Sequence, residues 1–136
     1  MLATAVCSVS MEPPSLLICV NRNASAYMAL SGRGAFSVGI LAAEDIHLGK
    51  HLGSAKGDER FSIGTWRTLA DHSETLDGLP WLNEAQATVF CSTDLVSDYG
   101  SHTIFIGRVE GVVPALASNP LVYCDGQYRS LTGISA

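Results

Sequence analysis

Two long runs of β-forming residues in the C-terminal half constrain the fold more than any other feature of the sequence. Residues 84–97 and 102–113 are rich in Val, Ile, Phe and Thr, and only Asp98-Tyr99-Gly100-Ser101 separates them. Runs of this kind on either side of a short turn that contains glycine are typical of a β-hairpin. The sequence therefore predicts a long antiparallel hairpin in this half of the chain.

Further strands and two short helices are predicted around this hairpin. Pro13 and Pro14 interrupt the first two strands, because proline cannot donate to a ladder. Residues 53–80 are predicted to be mainly loops, with an isolated element around 61–69. Many short strands with only two helices predict a mainly β fold, a closed antiparallel barrel, in one domain over residues 1–136. The predicted strands are 2–10, 15–20, 35–41, 120–124 and 128–131, the last two around Asp125-Gly126, and the predicted helices are 24–31 and 43–53.

The composition indicates a globular domain and argues against several classes of partner. Apolar residues make up 47% of the chain and charged residues 15%, which favours a packed core over disorder. A net charge of -5 disfavours nucleic acid, whose binding requires a basic face. No apolar run approaches the ~20 residues that span a bilayer. We expect neither nucleic acid nor a membrane as partner, and the low charge predicts that another subunit covers part of the surface.

The four cysteines indicate the compartment. Cys7, Cys19, Cys91 and Cys124 are far apart, form no CxxC pair and lie in apolar stretches. This pattern predicts reduced thiols in the core of a cytoplasmic protein. The start of the sequence also lacks the positive charge of a signal peptide.

The stretch from Cys19 to Ala26 is the first candidate binding site. A predicted strand ends here and a helix begins, and Asn21, Arg22 and Ser25 add amide, guanidinium and hydroxyl donors. Backbone N–H groups at such a helix start attract anions such as a nucleotide phosphate. Ordinary helix capping by Asn23 or Ser25 explains the same residues equally simply. Both interpretations stay open at this point.

Histidines provide two further candidates. His102 lies at the start of a strongly apolar strand, where it either faces a ligand at the rim of a barrel or is a surface residue after a turn. His47 and His51 have the i, i+4 spacing of a helical metal site. Nothing completes such a site, so we interpret this pair as a solvated helix face and predict no metal.

Other motifs of enzymes are missing from the sequence. GxGxxG, GxxxxGK[ST] and GxSxG do not occur, which argues against a doubly wound dinucleotide domain, a phosphate loop and an α/β hydrolase. Trp66 and Trp81 are predicted to be packing anchors in the loop-rich part. Residue chemistry alone therefore leads to a small barrel with a possible anion site.

Several segments together resemble the short flavin reductases. They are residues 3–10 followed by 12–16, then 21–25, 59–61 and 100–109, in the same order and with similar spacing. The similarity covers nearly the whole chain and is greatest to the reductase components of 4-hydroxyphenylacetate 3-monooxygenase and of the pyrimidine-degradation monooxygenase. Each segment alone is moderately specific, and their order makes the resemblance strong.

The resemblance implies a fold and an activity. The expected fold is an antiparallel, Greek-key-like FMN-binding split barrel with two short helices, paired as a homodimer with flavin near the interface. The expected activity is hydride transfer from NADH or NADPH to FMN or FAD, with the reduced flavin passing to a separate monooxygenase component. A flavin-binding carrier or sensor without turnover is the alternative.

The resemblance also implies site residues. His102 would lie near the flavin and the nicotinamide, as the residue that positions the reactants or helps electrostatically, and no side chain need act as a base. The other implied residues would bind the cofactor. Those along the isoalloxazine would be Thr4, Ala5, Cys7, Ser8 and Val9, and those at the phosphate and ribityl would be Asn21, Arg22 and Ser25. Those at the pocket rim would be Tyr128 and Arg129.

Two departures from the family pattern are visible. Members of the family carry a helix and a strand ahead of the position of Met1, and without them we expect an exposed sheet edge. The residue before His102 is usually Asp and is Ser101 here, which changes the surroundings of the imidazole.

Overall fold

The computed structural model describes residues 1–116 and 119–135. Most of the chain is extended, and two short α-helices follow the second and third strands. The strands are β1 (Val6–Met11), β2 (Pro14–Asn21), β3 (Ala35–Ile40), β4 (Trp66–Thr68), β5 (Pro80–Leu82), β6 (Ala87–Tyr99), β7 (His102–Val113), β8 (Val122–Cys124) and β9 (Gln127–Arg129), and the helices are α1 (Tyr27–Arg33) and α2 (Ile46–Ser54). Short 3₁₀ segments lie at Ala43–Asp45 and Gly57–Phe61.

A five-stranded antiparallel sheet in the order β1-β2-β7-β6-β3 forms the body of the fold. The long β6–β7 hairpin is confirmed, and its turn is Gly100-Ser101, with Tyr99 opposite His102. Gly100 has a φ of +56°, a conformation that glycine adopts without steric cost. Because β2 pairs with β7 and β3 pairs with β6, both strands of this hairpin lie at the interior of the sheet.

Two smaller hairpins complete the β structure. The pairing of β8 with β9 confirms the prediction around Asp125-Gly126, and both turn residues have positive φ, as a tight two-residue hairpin requires. The isolated element predicted around 61–69 contains β4, whereas β5 begins at the end of the stretch predicted to be loops and was not predicted. Both strands are three residues long and distant in sequence, so no local pattern indicates that they pair. Glu84 accepts two bonds from the Thr65 backbone N–H, at 2.8 and 2.9 Å, and this contact lowers the pKa of its carboxyl group.

Three boundaries near the N-terminus differ from prediction. The first strand begins at Val6 and not at residue 2, and Pro14 begins β2 opposite Met11, so the prolines shape a hairpin turn. Helix α1 begins at Tyr27 and not at residue 24, because residues 21–27 form successive turns. Its N-cap is Ala26, without a side-chain bond, so the interpretation of Asn23 or Ser25 as the cap is wrong.

The five-stranded sheet does not close on itself. Within residues 1–116 and 119–135, β1 and β3 are edge strands of this sheet, which corrects the expectation of a closed barrel. Its inner face borders a cavity of about 800 Å³ with largely apolar walls from β2, β3, α1 and the β4–β5 hairpin. In the same part of the chain, no helix has both the length and the apolar character needed to cross a membrane.

The inner face of the sheet carries the core. Phe105 and Cys91 are fully buried, and the exposed fraction of Val20 is 1%. Burial raises the pKa of the Cys91 thiol to about 11, with a smaller contribution from Glu110. The prediction of core thiols is thus confirmed for Cys91 and wrong for Cys7 and Cys124, which are exposed.

The two tryptophans pack as predicted. Trp66 meets Phe61 edge-on at 4.8 Å between ring centroids, and Trp81 meets Phe90 at 6.1 Å. The Trp66 indole N–H also donates to the Ile63 carbonyl at 2.9 Å. Trp66 thus packs within the loop-rich segment, and Trp81 attaches β5 to β6 of the main sheet.

Gly107 on β7 provides a test of this packing. A Cβ atom there would lie 2.5 Å from Phe36 Cζ and 2.7 Å from Cys91 Cβ, both in the buried core. We expect Gly107→Ala to lower the free energy of unfolding by about 1–3 kcal/mol, as overpacked cores do. Thermal or urea denaturation measures the change.

Gly111 is the matched control on the same strand. A Cβ atom there would lie 3.7 Å from Phe90, an ordinary contact. Gly111→Ala should therefore be nearly neutral, and equal destabilisation by both variants would contradict the packing described for Gly107.

Candidate functional site

The pairing of β2 with β7 brings several of the predicted site residues to one end of the sheet. Asn21, the last residue of β2, lies opposite His102, the first of β7. The Cys19 backbone N–H donates to the Ala5 carbonyl at 3.1 Å, and the antiparallel course of the chain carries Thr4 towards the same end. This end of the sheet, formed by residues 3–5, 21–25 and 100–103, is called the site edge below.

Three other predicted residues lie further along β1. Cys7 and Ser8 are opposite Leu17 and Leu16, and Val9 falls at an irregularity of the pairing between Ser8 and Ser10. All three are exposed. At about 3.3 Å per residue, Leu16 is roughly 16 Å from Asn21 along β2. Only an extended ligand could contact both Ser8 and the site edge.

The side chains of two predicted phosphate-binding residues already make local hydrogen bonds. The Asn21 Oδ1 accepts a bond from the Asn23 backbone N–H at 2.9 Å. The Arg22 guanidinium donates to the Gly100 carbonyl and lies 3.5 Å from the Asp98 carboxylate. The local structure thus uses both side chains to hold the turns of the site edge.

Arg60 is a further candidate that the predicted set of site residues does not include. It lies in the 3₁₀ segment Gly57–Phe61, and its Nη2 donates to Ser25 Oγ at 2.7 Å. Its Nε is buried and has no hydrogen-bond partner among the residues that the structure describes. The resemblance of residues 59–61 to the family was the only signal, because nothing in the sequence pairs Arg60 with Ser25. Together they offer a cation and a hydroxyl to an anion.

His102 is exposed at the start of β7. Its Nδ1 lies 2.8 Å from the hydroxyl of Ser101, the residue that departs from the family pattern. Opposite residues of an antiparallel pair share one face of the sheet, so Asn21, His102 and Tyr99 form one row across β2, β7 and β6. The imidazole therefore belongs to the outer face, away from the core.

The two predicted rim residues differ in their surroundings. Tyr128 packs edge-on against Tyr123 at 5.1 Å and lines the cavity of about 800 Å³ that Thr4 and Arg60 also line. It lines a second cavity, of about 430 Å³, together with Leu2 and Lys50. Arg129 is exposed, and its Nη2 donates to Gln127 Oε1 at 3.3 Å. Leu2 links Tyr128 to the N-terminal stretch, whereas no contact links Arg129 to the site edge among the described residues.

The structure offers no metal centre in the described part of the chain, where no three His, Cys, Asp or Glu side chains converge. His51 Nε2 lies 2.9 Å from the Glu59 carbonyl and 3.3 Å from the Ser62 hydroxyl. His47 is exposed. His47 therefore lies on the exposed face of α2, and His51 contacts the loop that follows this helix.

Similarity to known proteins extends along nearly the whole chain. The sequence pattern described as flavin reductase like domain matches residues 1–132. The reductase component of FADH(2)-dependent resorcinol hydroxylase from Rhizobium sp. (strain MTP-10005) is 37% identical over 139 residues, which cover 100% of this chain and 74% of that protein. FMN reductase (NADH) RutF from Methylorubrum populi is 38% identical over 130 residues, which cover 95% of this chain and 61% of that protein. The chain thus spans only part of the length of both relatives.

Solved structures have the same fold. The NADH:FAD oxidoreductase of Streptomyces globisporus C-1027 matches with a TM-score of 0.86 at 26% identity, over 96% of this chain and 76% of that one. BorF, the flavin reductase component of a bacterial two-component tryptophan halogenase, matches with a TM-score of 0.82 at 30% identity, over 97% of this chain and 81% of that one. The predicted split-barrel fold is confirmed. With the pattern match over residues 1–132 and more than a third of residues shared with both relatives, the chain belongs to the flavin reductase like domain family.

Proposed function

We propose that this chain is an NAD(P)H-dependent flavin reductase, which passes a hydride from NADH or NADPH to FMN or FAD and supplies the reduced flavin to a separate monooxygenase component. The names of the relatives support this activity. The observation that carries it is the buried, unpartnered Arg60 Nε beside Ser25 at the site edge. The proposed unit of function is one flavin reductase-like domain over residues 1–136.

The residues of the site edge fit the phosphate of a flavin nucleotide. A buried N–H group without a partner costs about 1–3 kcal/mol, and an anionic acceptor would recover that energy. Arg60 and Ser25 can donate to one phosphate group, since their side chains already lie 2.7 Å apart. In this account Arg22 and Asn21 act indirectly, by holding the turns that present Ser25.

Bound flavin would supply the hydride acceptor, since this chemistry belongs to the cofactor. The chain supplies alignment: residues 4–9 of the N-terminal stretch border the flavin, and His102 contacts the nicotinamide from the outer face of the site edge. Alignment of two reactants removes much of the entropic barrier of a bimolecular step. Hydride transfer needs no side chain as a base, which agrees with a site edge that carries a single imidazole. Tyr128 and Arg129 are proposed at the outer rim, where the longer nucleotide extends.

The cytoplasm is the proposed compartment. All four cysteines are free thiols, and two of them, Cys7 and Cys124, are exposed. Exposed free thiols suit a reducing environment. NADH and NADPH are also consistent with this location.

Turnover tests the proposed function. NADH oxidation by the purified chain should depend on added FMN or FAD, and His102→Ala should lower kcat/KM for NADH about tenfold. His72→Ala, a change of another exposed histidine, is the control and should keep the rate of the unaltered chain. Flavin binding without oxidation of either NADH or NADPH would contradict the reductase and favour the carrier or sensor.

The phosphate contact has its own test. Arg60→Gln should weaken binding of FMN about tenfold or more, because it removes a charge-assisted bond. Riboflavin lacks the phosphate, so its affinity should stay the same. Quenching of flavin fluorescence measures both affinities.

Arg67→Gln is the matched control, since it removes one exposed positive charge elsewhere, on β4. It should leave both affinities unchanged. An equal loss of FMN and riboflavin affinity in Arg60→Gln would place Arg60 away from the phosphate.

A homodimer is proposed from the outer face of the main sheet. Leu17, Ile106 and Leu95 form one row across β2, β7 and β6, on the same face as the row that contains His102 and separated from it by the row of Cys19, Ile104 and Ser97. Leu95 is 49% exposed and Tyr99, in the His102 row, is 83% exposed. Leu17 and Ile106 are half-buried beside Leu95, and an apolar patch of this kind on a sheet face marks an interaction surface. A second copy of the chain on this face would cover them and border the site edge.

Sedimentation tests the dimer. The chain should sediment at twice its 14.4 kDa, and Leu95→Glu should shift it to the monomer by placing a charge in the contact. Met28→Glu, on α1 and 77% exposed, is the control and should leave the dimer intact. A monomer at tens of micromolar for the unaltered chain would contradict the proposal.

A further inference from the structure

We infer that Asp98 is a positioning residue for His102, acting through Arg22 and Thr103. This inference rests on the proposed function, in which His102 contacts the nicotinamide. Asp98 is the last inner-face residue of β6 before the turn, and it lies opposite Thr103. The group formed by Arg22, Asp98 and Thr103 is called the turn clamp below.

The turn clamp ties three elements to the Gly100-Ser101 turn. The Asp98 carboxylate accepts a bond from the Thr103 hydroxyl on β7 and lies 3.5 Å from Arg22 Nη1 at the end of β2. Arg22 donates from Nη2 to the Gly100 carbonyl and from its backbone N–H to the Ser101 carbonyl, the latter at 3.0 Å. Residues on both sides of His102 are thereby fixed to β2.

A fifth contact extends the clamp to α1. The Thr103 side chain is fully buried, and its hydroxyl lies 3.3 Å from the Tyr27 hydroxyl. One hydroxyl has one proton to donate, so the Thr103 hydroxyl donates to Asp98 and accepts from Tyr27. The carboxylate thus completes a chain of bonds from α1 to the turn.

The turn clamp holds the turn locally and contributes little to the free energy of unfolding of the whole fold. The side chains of Arg22 and Asp98 are 42% and 59% exposed, and exposed ion pairs contribute little to global stability. Their other bonds are concentrated on three residues around the turn, namely Gly100, Ser101 and Thr103. Loss of the ion pair should therefore loosen the turn without unfolding the sheet.

The position of His102 depends on this turn. Its neighbours Ser101 and Thr103 both belong to the clamped segment, and Ser101 Oγ lies 2.8 Å from the imidazole Nδ1. Functional groups need to be held within about 0.5 Å of their productive position. A looser turn would displace the imidazole and misalign the nicotinamide.

A double-mutant cycle tests whether Asp98 acts through His102. Asp98→Asn keeps an oxygen acceptor for Thr103 and removes the charge that Arg22 faces. It should lower kcat/KM for NADH about threefold to tenfold in the unaltered background and less than twofold in the His102→Ala background. The affinity for FMN and the melting temperature should stay close to those of the unaltered chain.

Asp94→Asn is the matched control. Asp94 lies on the same strand, pairs with Arg108 at 3.6 Å and is 42% exposed, but it is remote from the turn. It should leave kcat/KM unchanged. An unchanged kcat/KM in Asp98→Asn, or the same loss with and without His102, would overturn the inference.

The His102 imidazole resonances give a readout that needs no activity. They are assigned by their loss in His102→Ala, and they should shift in Asp98→Asn and not in Asp94→Asn. Absence of oxidation of both NADH and NADPH by the unaltered chain would refute the proposed function alone, and the resonances would then decide the inference. Resonances that do not move in Asp98→Asn would overturn it.

Discussion

The antiparallel pairing of β2 with β7 runs from Ser15 opposite Arg108 to Asn21 opposite His102. This register places Ile18 and Val20 on the inner face, opposite Phe105 and Thr103, where all four side chains are buried. A shift by one residue would turn these side chains to the outer face, so burial of the core fixes the register. The same register brings the end of β2 next to the start of β7, and the polar groups of the site edge lie there.

The two faces of the five-stranded sheet carry different groups of residues. The inner face holds the core and the turn clamp, with Asp98 and Thr103 beside the last buried residues. The outer face carries the His102 row and the apolar Leu95 row. Because neighbouring residues of a strand alternate between faces, a contact on the inner side can set the position of an imidazole on the outer side. The proposed binding, dimerisation and positioning thus depend on one register.

The local charge of the site edge matters more than the net charge of -5. Arg22 is neutralised by Asp98, which leaves Arg60 as the cation directed at Ser25. Because Arg60 Nε is buried, its interaction with an anion is screened less than that of a surface residue. An acidic chain can therefore still bind a phosphate at one place.

The sequence predicted the parts of the fold that depend on neighbouring residues. The β6–β7 hairpin and the turn at Asp125-Gly126 are local, and glycine and aspartate indicate them directly. The β4–β5 pairing and the contact of Arg60 with Ser25 depend on residues that tertiary structure brings together, and no periodicity reports such contacts. The start of α1 was misplaced for a related reason: the polar residues that suggest a cap hold turns, with Asn21 bonded to Asn23 and Arg22 to the hairpin. The resemblance pointed to several segments that the fold brings together at the site edge, but the contacts of their side chains became visible only in the fold.

The central claim is that a flavin nucleotide binds at the site edge, and backbone amide NMR during titration with FMN tests it most directly. The account predicts that the largest shifts fall on residues 3–9, 22–25, 60 and 101–103, whereas the β8–β9 hairpin changes much less. Shifts confined to the β8–β9 hairpin and α2, or no saturable shifts at all, would contradict it.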